Sequence, residues 1–240
     1  MTTPRTAVVT GANRGLGLEF TRALLARGLH VIAGARQPGR ATALNTLAAD
    51  HPGRLHVLPL DVAAPKSIDA FAAELALVLD RDGEPAGRID LLVNNAGVLH
   101  SGERFGHLAV AGLDDSLRTN ALGPLLVAQA LAPRLADGAK IANISSQLGS
   151  IAGCTRFGTP GYAIGKAAQN MATRQLAHAL ADRGATVLAL HPGWVQTEMG
   201  GDGAQVTAAD SVAGLLRVVD GADAGDSGRF LDWTGRELPW

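Results

Sequence analysis

Tyr162 and Lys166 are the residues whose types and spacing first suggest a reaction. They stand four positions apart in GYAIGKAAQN, residues 161–170, and Tyr162 is the only tyrosine in 240 residues. Four residues is about one helical turn, so on a helix the two side chains share a face. A phenol of pKa about 10 is a poor acid or base near neutrality. An ammonium about 4 Å from the phenolate would stabilise it by about 4 kcal/mol at an effective dielectric of ~20. At about 1.4 kcal/mol per unit, that predicts a phenol lowered by roughly two to three units, able to exchange a proton with a substrate oxygen.

Such a pair needs a reactant held beside it, and TGANRGLG (Thr10–Gly17) supplies a place for one, following a strand-like run and opening a helical one. Glycines there let the backbone turn tightly and approach a ligand, while the next helix presents free N–H groups to a phosphate. Gly11, Gly15 and Gly17, with Asn13, Arg14 and Leu16, are therefore assigned to a diphosphate cofactor, although their spacing is not the common G-x-G-x-x-G. The second strand ends in GAR, with Arg36 where an acidic residue would accept from a ribose 2′-hydroxyl. Guanidinium groups grip phosphate bidentately, so Arg36 and Arg14 together favour NADP(H) over NAD(H).

The elements that must position these groups alternate along the chain. Strand-like runs are Thr6–Thr10, His30–Ala35, Leu55–Leu60, Ile89–Val93, Lys140–Ile144, Thr186–Leu190 and Gly228–Leu231. Most are continuously apolar, the mark of strands covered on both faces. Between them lie helical stretches at Gly17–Arg27, Arg40–Ala49, Lys66–Asp80, Leu113–Leu135, Tyr162–Asp182 and Ala208–Val219. The alternation predicts a single α/β domain over residues 1–240, a Rossmann-type, doubly wound parallel sheet of seven strands with helices on both faces.

Composition narrows the partners. Lys plus Arg numbers 21 against 22 for Asp plus Glu, a net charge of −1, which removes the electrostatic case for nucleic acid or an anionic membrane surface. No stretch approaches the ~20 apolar residues of a membrane span, and the N-terminus lacks a signal peptide's apolar core. The lone Cys154 excludes an intrachain disulfide and points to a reducing compartment, so a cytoplasmic location is expected. Seven histidines show no metal-ligand spacing, and no G-x-S-x-G elbow marks a serine hydrolase.

With TGANRGLG, LDV (Leu60–Val62), NNAG (Asn94–Gly97), Asn120, ISS (Ile144–Ser146), YAIGK (Tyr162–Lys166) and PGWVQT (Pro192–Thr197) in this order, the chain resembles the short-chain dehydrogenase/reductase family over essentially its whole length. The tail FLDWTGRELPW, Phe230–Trp240, looks like that of the C-factor and sniffer-type carbonyl reductases. The resemblance implies reduction of a ketone or aldehyde, or oxidation of a secondary alcohol, with Tyr162 as general acid/base and Lys166 also holding the nicotinamide ribose. It implies that Ser146 rather than Ser145 binds the substrate oxygen, since neighbouring strand side chains alternate faces. Asn120 would bend its helix and hold a water linking Lys166 to solvent. Asp61 and Val62 would border the adenine, with a helix-capping role for Asp61 as the alternative. Asn94, Ala96 and Gly97 would pack beneath the cofactor, Pro192, Gly193 and Val195 would lie beside the nicotinamide, and Thr197 would reach the pyrophosphate. A homodimer or homotetramer is expected, through the helices containing Asn120 and Tyr162.

Two departures from the family pattern stand out. The stretch between Ser146 and Tyr162 is long, and Gly165 replaces the serine common before the lysine, its small size permitting close approach to the cofactor. The short glycine-rich segment after Thr197 predicts an open pocket, which Trp194, Phe157, Leu148 and Val98 could line and where Arg156 could meet an anionic group. A dinucleotide-binding signalling or regulatory protein without turnover is the competing class, since C-factor relatives are discussed as signals.

Overall fold

In the computed structural model, which describes residues 5–80 and 87–240, seven strands form one parallel sheet. Residues 1–4, part of the N-terminal reading above, lie outside that range. The strands are β1 (Thr6–Thr10), β2 (His30–Ala35), β3 (Leu55–Pro59), β4 (Ile89–Asn94), β5 (Leu135–Ile144), β6 (Thr186–His191) and β7 (Phe230–Asp232), ordered β3-β2-β1-β4-β5-β6-β7. The helices are α1 (Gly15–Ala26), α2 (Thr42–Asp50), α3 (Pro65–Leu79), α4 (Val110–Leu117), α5 (Gly123–Leu131), α6 (Pro160–Ala179) and α7 (Ala208–Gly221).

Strand side chains alternate between faces, and the core divides accordingly. Ala7, Val9, Val31, Ala33, Leu91 and Val93 pack with α1 and α7 through Phe20, Leu24, Leu215 and Leu216. Their neighbours Val8, Ile32 and Leu92 pack on the other face with Phe71 and Leu75 of α3, Val127 and Leu131 of α5, and Leu176 of α6. Both faces are apolar because both are buried.

Strand order reverses between β1 and β4, which lead away from each other to opposite edges. Open α/β sheets bind ligands at that point, beyond the carboxyl ends of the strands. Here Thr10 Oγ1 accepts from the backbone N–H groups of Asn95 and Ala96, both at 3.0 Å, fastening the two strand ends together.

Two elements depart from the sequence expectation. The stretch predicted as one helix over Leu113–Leu135 is α4 and α5 joined by a π turn, Arg118–Leu122, with Asn120 at its centre. The cause is Pro124, which has no N–H to donate to the carbonyl of Asn120 four residues earlier. Strand β5 begins at Leu135 rather than Lys140, because a bulge containing Gly138 (φ 72°) carries the pairing from Ile89–Leu135 to Leu91–Lys140.

Candidate active site

The glycine loop is shaped to stay free of side chains. Gly11 and Gly15 hold φ of 63° and 52°, a region where glycine carries no steric penalty. A Cβ on Gly17 would lie 2.2 Å from the Gly11 carbonyl oxygen, and one on Gly11 2.9 Å from the Ala96 Cα. Helix α1 starts after Arg14 with no side chain capping its first turn, so its leading N–H groups are available to a phosphate. These features fit a dinucleotide's diphosphate. Thr197 faces the loop, its Cγ2 3.5 Å from where a Gly15 Cβ would stand.

Asn95, which the sequence reading passed over for its neighbour Asn94, braces this loop: Nδ2 donates to the carbonyls of Thr10 and Gly11 at 2.9 and 3.2 Å. Asn94 instead donates to Asn143 Oδ1 (2.8 Å) and to the Pro124 carbonyl (3.3 Å), tying β4 to β5. The doubled asparagine of NNAG was the available signal.

Arg36 is exposed and has no ion-pair partner among the described residues, whereas Arg14 pairs with Glu198 just beyond Thr197. Asp61 does not cap α3, whose N-cap is Ala64; its Oδ1 accepts from Ala63 N at 3.0 Å in the preceding turn, which leaves Oδ2 for a ligand. Val62 is buried against Gly123, whose Cβ would meet the Val62 carbonyl oxygen at 2.9 Å.

Ser145, Ser146, Tyr162, Lys166 and Asn120 converge at the carboxyl ends of β4 and β5. Ser145 Oγ donates to Asn170 Oδ1 at 2.6 Å on α6 and is buried structure. Ser146 points the other way, accepts from Leu148 N (3.1 Å) and lies close enough to the Tyr162 phenol to lower its pKa. Lys166, only 3% exposed, donates from Nζ to the Ile144 carbonyl (2.7 Å) and to Gln169 Oε1 (2.9 Å). Asn120 is fully buried and clasps Val98, Oδ1 accepting from its N–H (2.9 Å) and Nδ2 donating to its carbonyl (2.8 Å). Asn120 and Lys166 meet at Gly97, where a Cβ would lie 3.2 Å from Asn120 Oδ1 and 3.8 Å from Lys166 Nζ.

The electrostatics correct the opening expectation. Burial pushes the Tyr162 phenol up to about 12, and the nearby Ser146 hydroxyl only partly offsets this. Lys166 Nζ lies 5.6 Å from the phenol ring centroid and spends two of its protons elsewhere, so it does not overcome that desolvation. Burial also pulls the ammonium down to about 7. The protein thus holds a protonated phenol beside a lysine that titrates near neutrality.

Other expectations change as well. Gly165 admits the neighbouring helix rather than a cofactor: a Cβ there would stand 3.1 Å from the Ser116 carbonyl oxygen and 3.2 Å from Asn120 Cβ. The segment after Thr197 folds back on itself. Trp194 Nε1 donates to the Gly200 carbonyl (2.7 Å), Gln196 Nε2 to that of Ala204 (3.2 Å), and Val195 bridges Val206. Trp194 therefore packs on its own loop, against Gly203, instead of lining a pocket. Phe157 stacks edge-on against Phe105, centroids 5.9 Å apart. A cavity of about 360 Å³ opens where Gln147 and Leu148 follow Ser146 and Ala163 follows Tyr162; Cys154, Arg156 and Leu238 complete its wall. Among the described residues no cluster suits a metal ion, and no helix is long and apolar enough to cross a membrane.

Known proteins are similar to this chain in sequence and in fold. Residues 5–206 match the short chain dehydrogenase family. The C-signal protein of Myxococcus xanthus is 45% identical over 156 residues, 64% of this chain and 94% of that one. The NADPH-bound carbonyl reductase from chicken fatty liver superposes with a TM-score of 0.91 at 37% identity, covering 100% of both chains. Carbonyl reductase Sniffer of Drosophila melanogaster gives 0.91 at 30% identity, over 99% of this chain and 100% of its own.

Proposed function

The chain belongs to the short-chain dehydrogenase family, and from that premise we propose an NADP(H)-dependent oxidoreductase that interconverts ketones or aldehydes with alcohols, in the manner of a carbonyl reductase. One observation carries this reading: Ser146, Tyr162, Lys166 and Asn120 meet beside a glycine loop whose Gly11 and Gly17 leave no room for a Cβ. Bound NADPH would supply the hydride.

The chain's own groups do the rest. Ser146 donates to the substrate oxygen and orients it toward the phenol. Tyr162 holds its proton at Oη for that oxygen as negative charge develops there. Lys166 directs an ammonium proton toward the cofactor ribose, and Asn120 keeps the π turn from which a water can reach it. Gly11, Asn13, Arg14, Gly15, Leu16 and Gly17 cradle the diphosphate with Thr197. Asp61 and Val62 border the adenine, and Asn94, Ala96 and Gly97 form the floor. Pro192, Gly193 and Val195 flank the nicotinamide. The NADPH bound by the chicken reductase and the exposed Arg36, which has no ion-pair partner among the described residues, both support NADP(H) as the nucleotide.

Arg36→Asp tests that choice. A charged hydrogen bond to the 2′-phosphate is worth about 1.5–3 kcal/mol, so preference should move from NADPH toward NADH by roughly 10- to 150-fold. The ratio of kcat/KM for the two nucleotides reads it, and an unchanged ratio removes Arg36 from cofactor selection.

The similarity to the C-signal protein favours a second reading, a nucleotide-binding signal or regulator without turnover. NADPH consumption with a panel of ketones and aldehydes separates the two. Tight binding with no reduction of any member would select the regulator. The exposed Leu122, Ile164 and Met171 on the π turn and α6 support a homodimer or homotetramer, which light scattering of the intact chain would count; a monomer would reject it.

A further inference from the structure

Gln169 is a costly residue where it stands. It is fully buried in α6, and its side-chain Nε2 has no hydrogen-bond partner among the described residues. Leucine would suit such a buried position without stranding an amide proton. What the glutamine contributes is Oε1, which accepts from Lys166 Nζ at 2.9 Å. Tyr162, Lys166 and Gln169 follow at spacings of four and three, so they share one face of α6 with the lysine in the middle.

We propose that Gln169 is a positioning residue for the reaction, its side-chain carbonyl aiming the Lys166 ammonium toward the cofactor and Tyr162. With the Ile144 carbonyl at 2.7 Å it binds two of the three ammonium protons. The third is left for the side where Gly97 and Asn120 lie. Lysine alone would swing on four rotatable bonds. Held by two carbonyls, it presents one proton in one direction. Those carbonyls also favour the charged form against the burial that lowers it.

The groups facing Lys166 are otherwise uncharged. Among the described residues, Tyr162 on α6 is the one titratable side chain in contact with it. From β5 and the turn after it come the Ile144 carbonyl and Gly149, from the β4 loop Gly97, and from the π turn Asn120. A change at residue 169 therefore acts on the lysine without a competing charge.

The inference rests on the role given to Lys166 above, so its test must not depend on turnover alone. The chain has three lysines, at 66, 140 and 166. Labelling the lysine side chains at Cε with ¹³C gives three resonances, and the one missing in Lys166→Met identifies Lys166. Its titration is then followed in full-length wild type, Gln169→Leu and Gln169→Glu. The expected result is a midpoint lower by about one pH unit in the leucine variant, tenfold in the ionisation constant, and higher than wild type in the glutamate variant. Kinetically, Gln169→Leu should lower kcat about tenfold, with Gln169→Glu recovering part of the loss. Midpoints unchanged in both variants, with only the melting temperature moved, would overturn the proposal. If the midpoints move as expected while wild type reduces no carbonyl compound, the positioning role stands and the functional reading fails.

Discussion

Tyr162→Phe is expected to bind NADPH within about threefold of wild type while kcat/KM for carbonyl reduction falls by roughly 10²–10⁴, the range of a positioned general acid. The two outcomes separate because the change removes one oxygen and leaves the ring. Ser146 keeps its bond from Leu148 N, and the glycine loop is untouched. Fluorescence titration with NADPH gives the first quantity and loss of NADPH absorbance the second. The pH dependence follows from the same residue. With burial holding the phenol up to about 12, Tyr162 keeps its proton throughout the neutral range, and reduction should not lose its acid there. Alcohol oxidation needs the deprotonated phenol, so its kcat/KM should climb with pH. Wild-type turnover retained in the phenylalanine variant would remove Tyr162 from the chemistry.

Lys166→Met should fall by a similar factor in turnover and also weaken NADPH binding, since the lysine is assigned to the ribose as well. Its effect on stability has a pH signature. In the folded state burial lowers the ammonium from 10.5 to about 7. Below pH ~7 both folded and unfolded states carry the charge, and the folded state bears the full cost of burying it. Between about 7 and 10.5 the folded protein sheds the proton that the unfolded chain keeps, so wild type gains stability as pH rises. Relative to Lys166→Met, wild type should therefore gain on the order of 5 kcal/mol across that window, at about 1.4 kcal/mol per unit. Other titrating groups are common to both proteins and cancel. Urea unfolding of the pair at pH 6 and 10.5 measures it, and a pH-independent difference would contradict the buried ammonium.

The sheet was legible because its code is local. Continuous apolar runs such as Ala7–Val9 and Val31–Ala33 mark strands covered on both faces, and the structure finds them so. The glycine loop and the Tyr162–Lys166 spacing were legible for the same reason, each being set within a few residues. What the sequence hid depends on through-space packing. The π turn at Asn120 could have been read from Pro124, but the bulge in β5 follows from its register against β4. Gly165 was read as leaving room for the cofactor because a motif does not say which side of a helix another helix will press. The acidity of Tyr162 was predicted with the wrong sign. A pairwise Coulomb estimate counted the lysine's attraction and not the burial of both groups, nor the two carbonyls that claim the ammonium. Gln169 carried no signal until Lys166 was seen to lean on it.

Transfer of deuterium from [4,4-²H₂]NADPH, labelled on both faces of C4, tests the central claim most directly. The intact protein is incubated with the labelled nucleotide and a panel of ketones and aldehydes, and the products are analysed by mass spectrometry. An alcohol bearing one deuterium on its carbinol carbon, formed by wild type and nearly absent with Tyr162→Phe, is the predicted result. Saturable NADPH binding with no label in any alcohol would contradict the account and leave a nucleotide-binding protein without this chemistry.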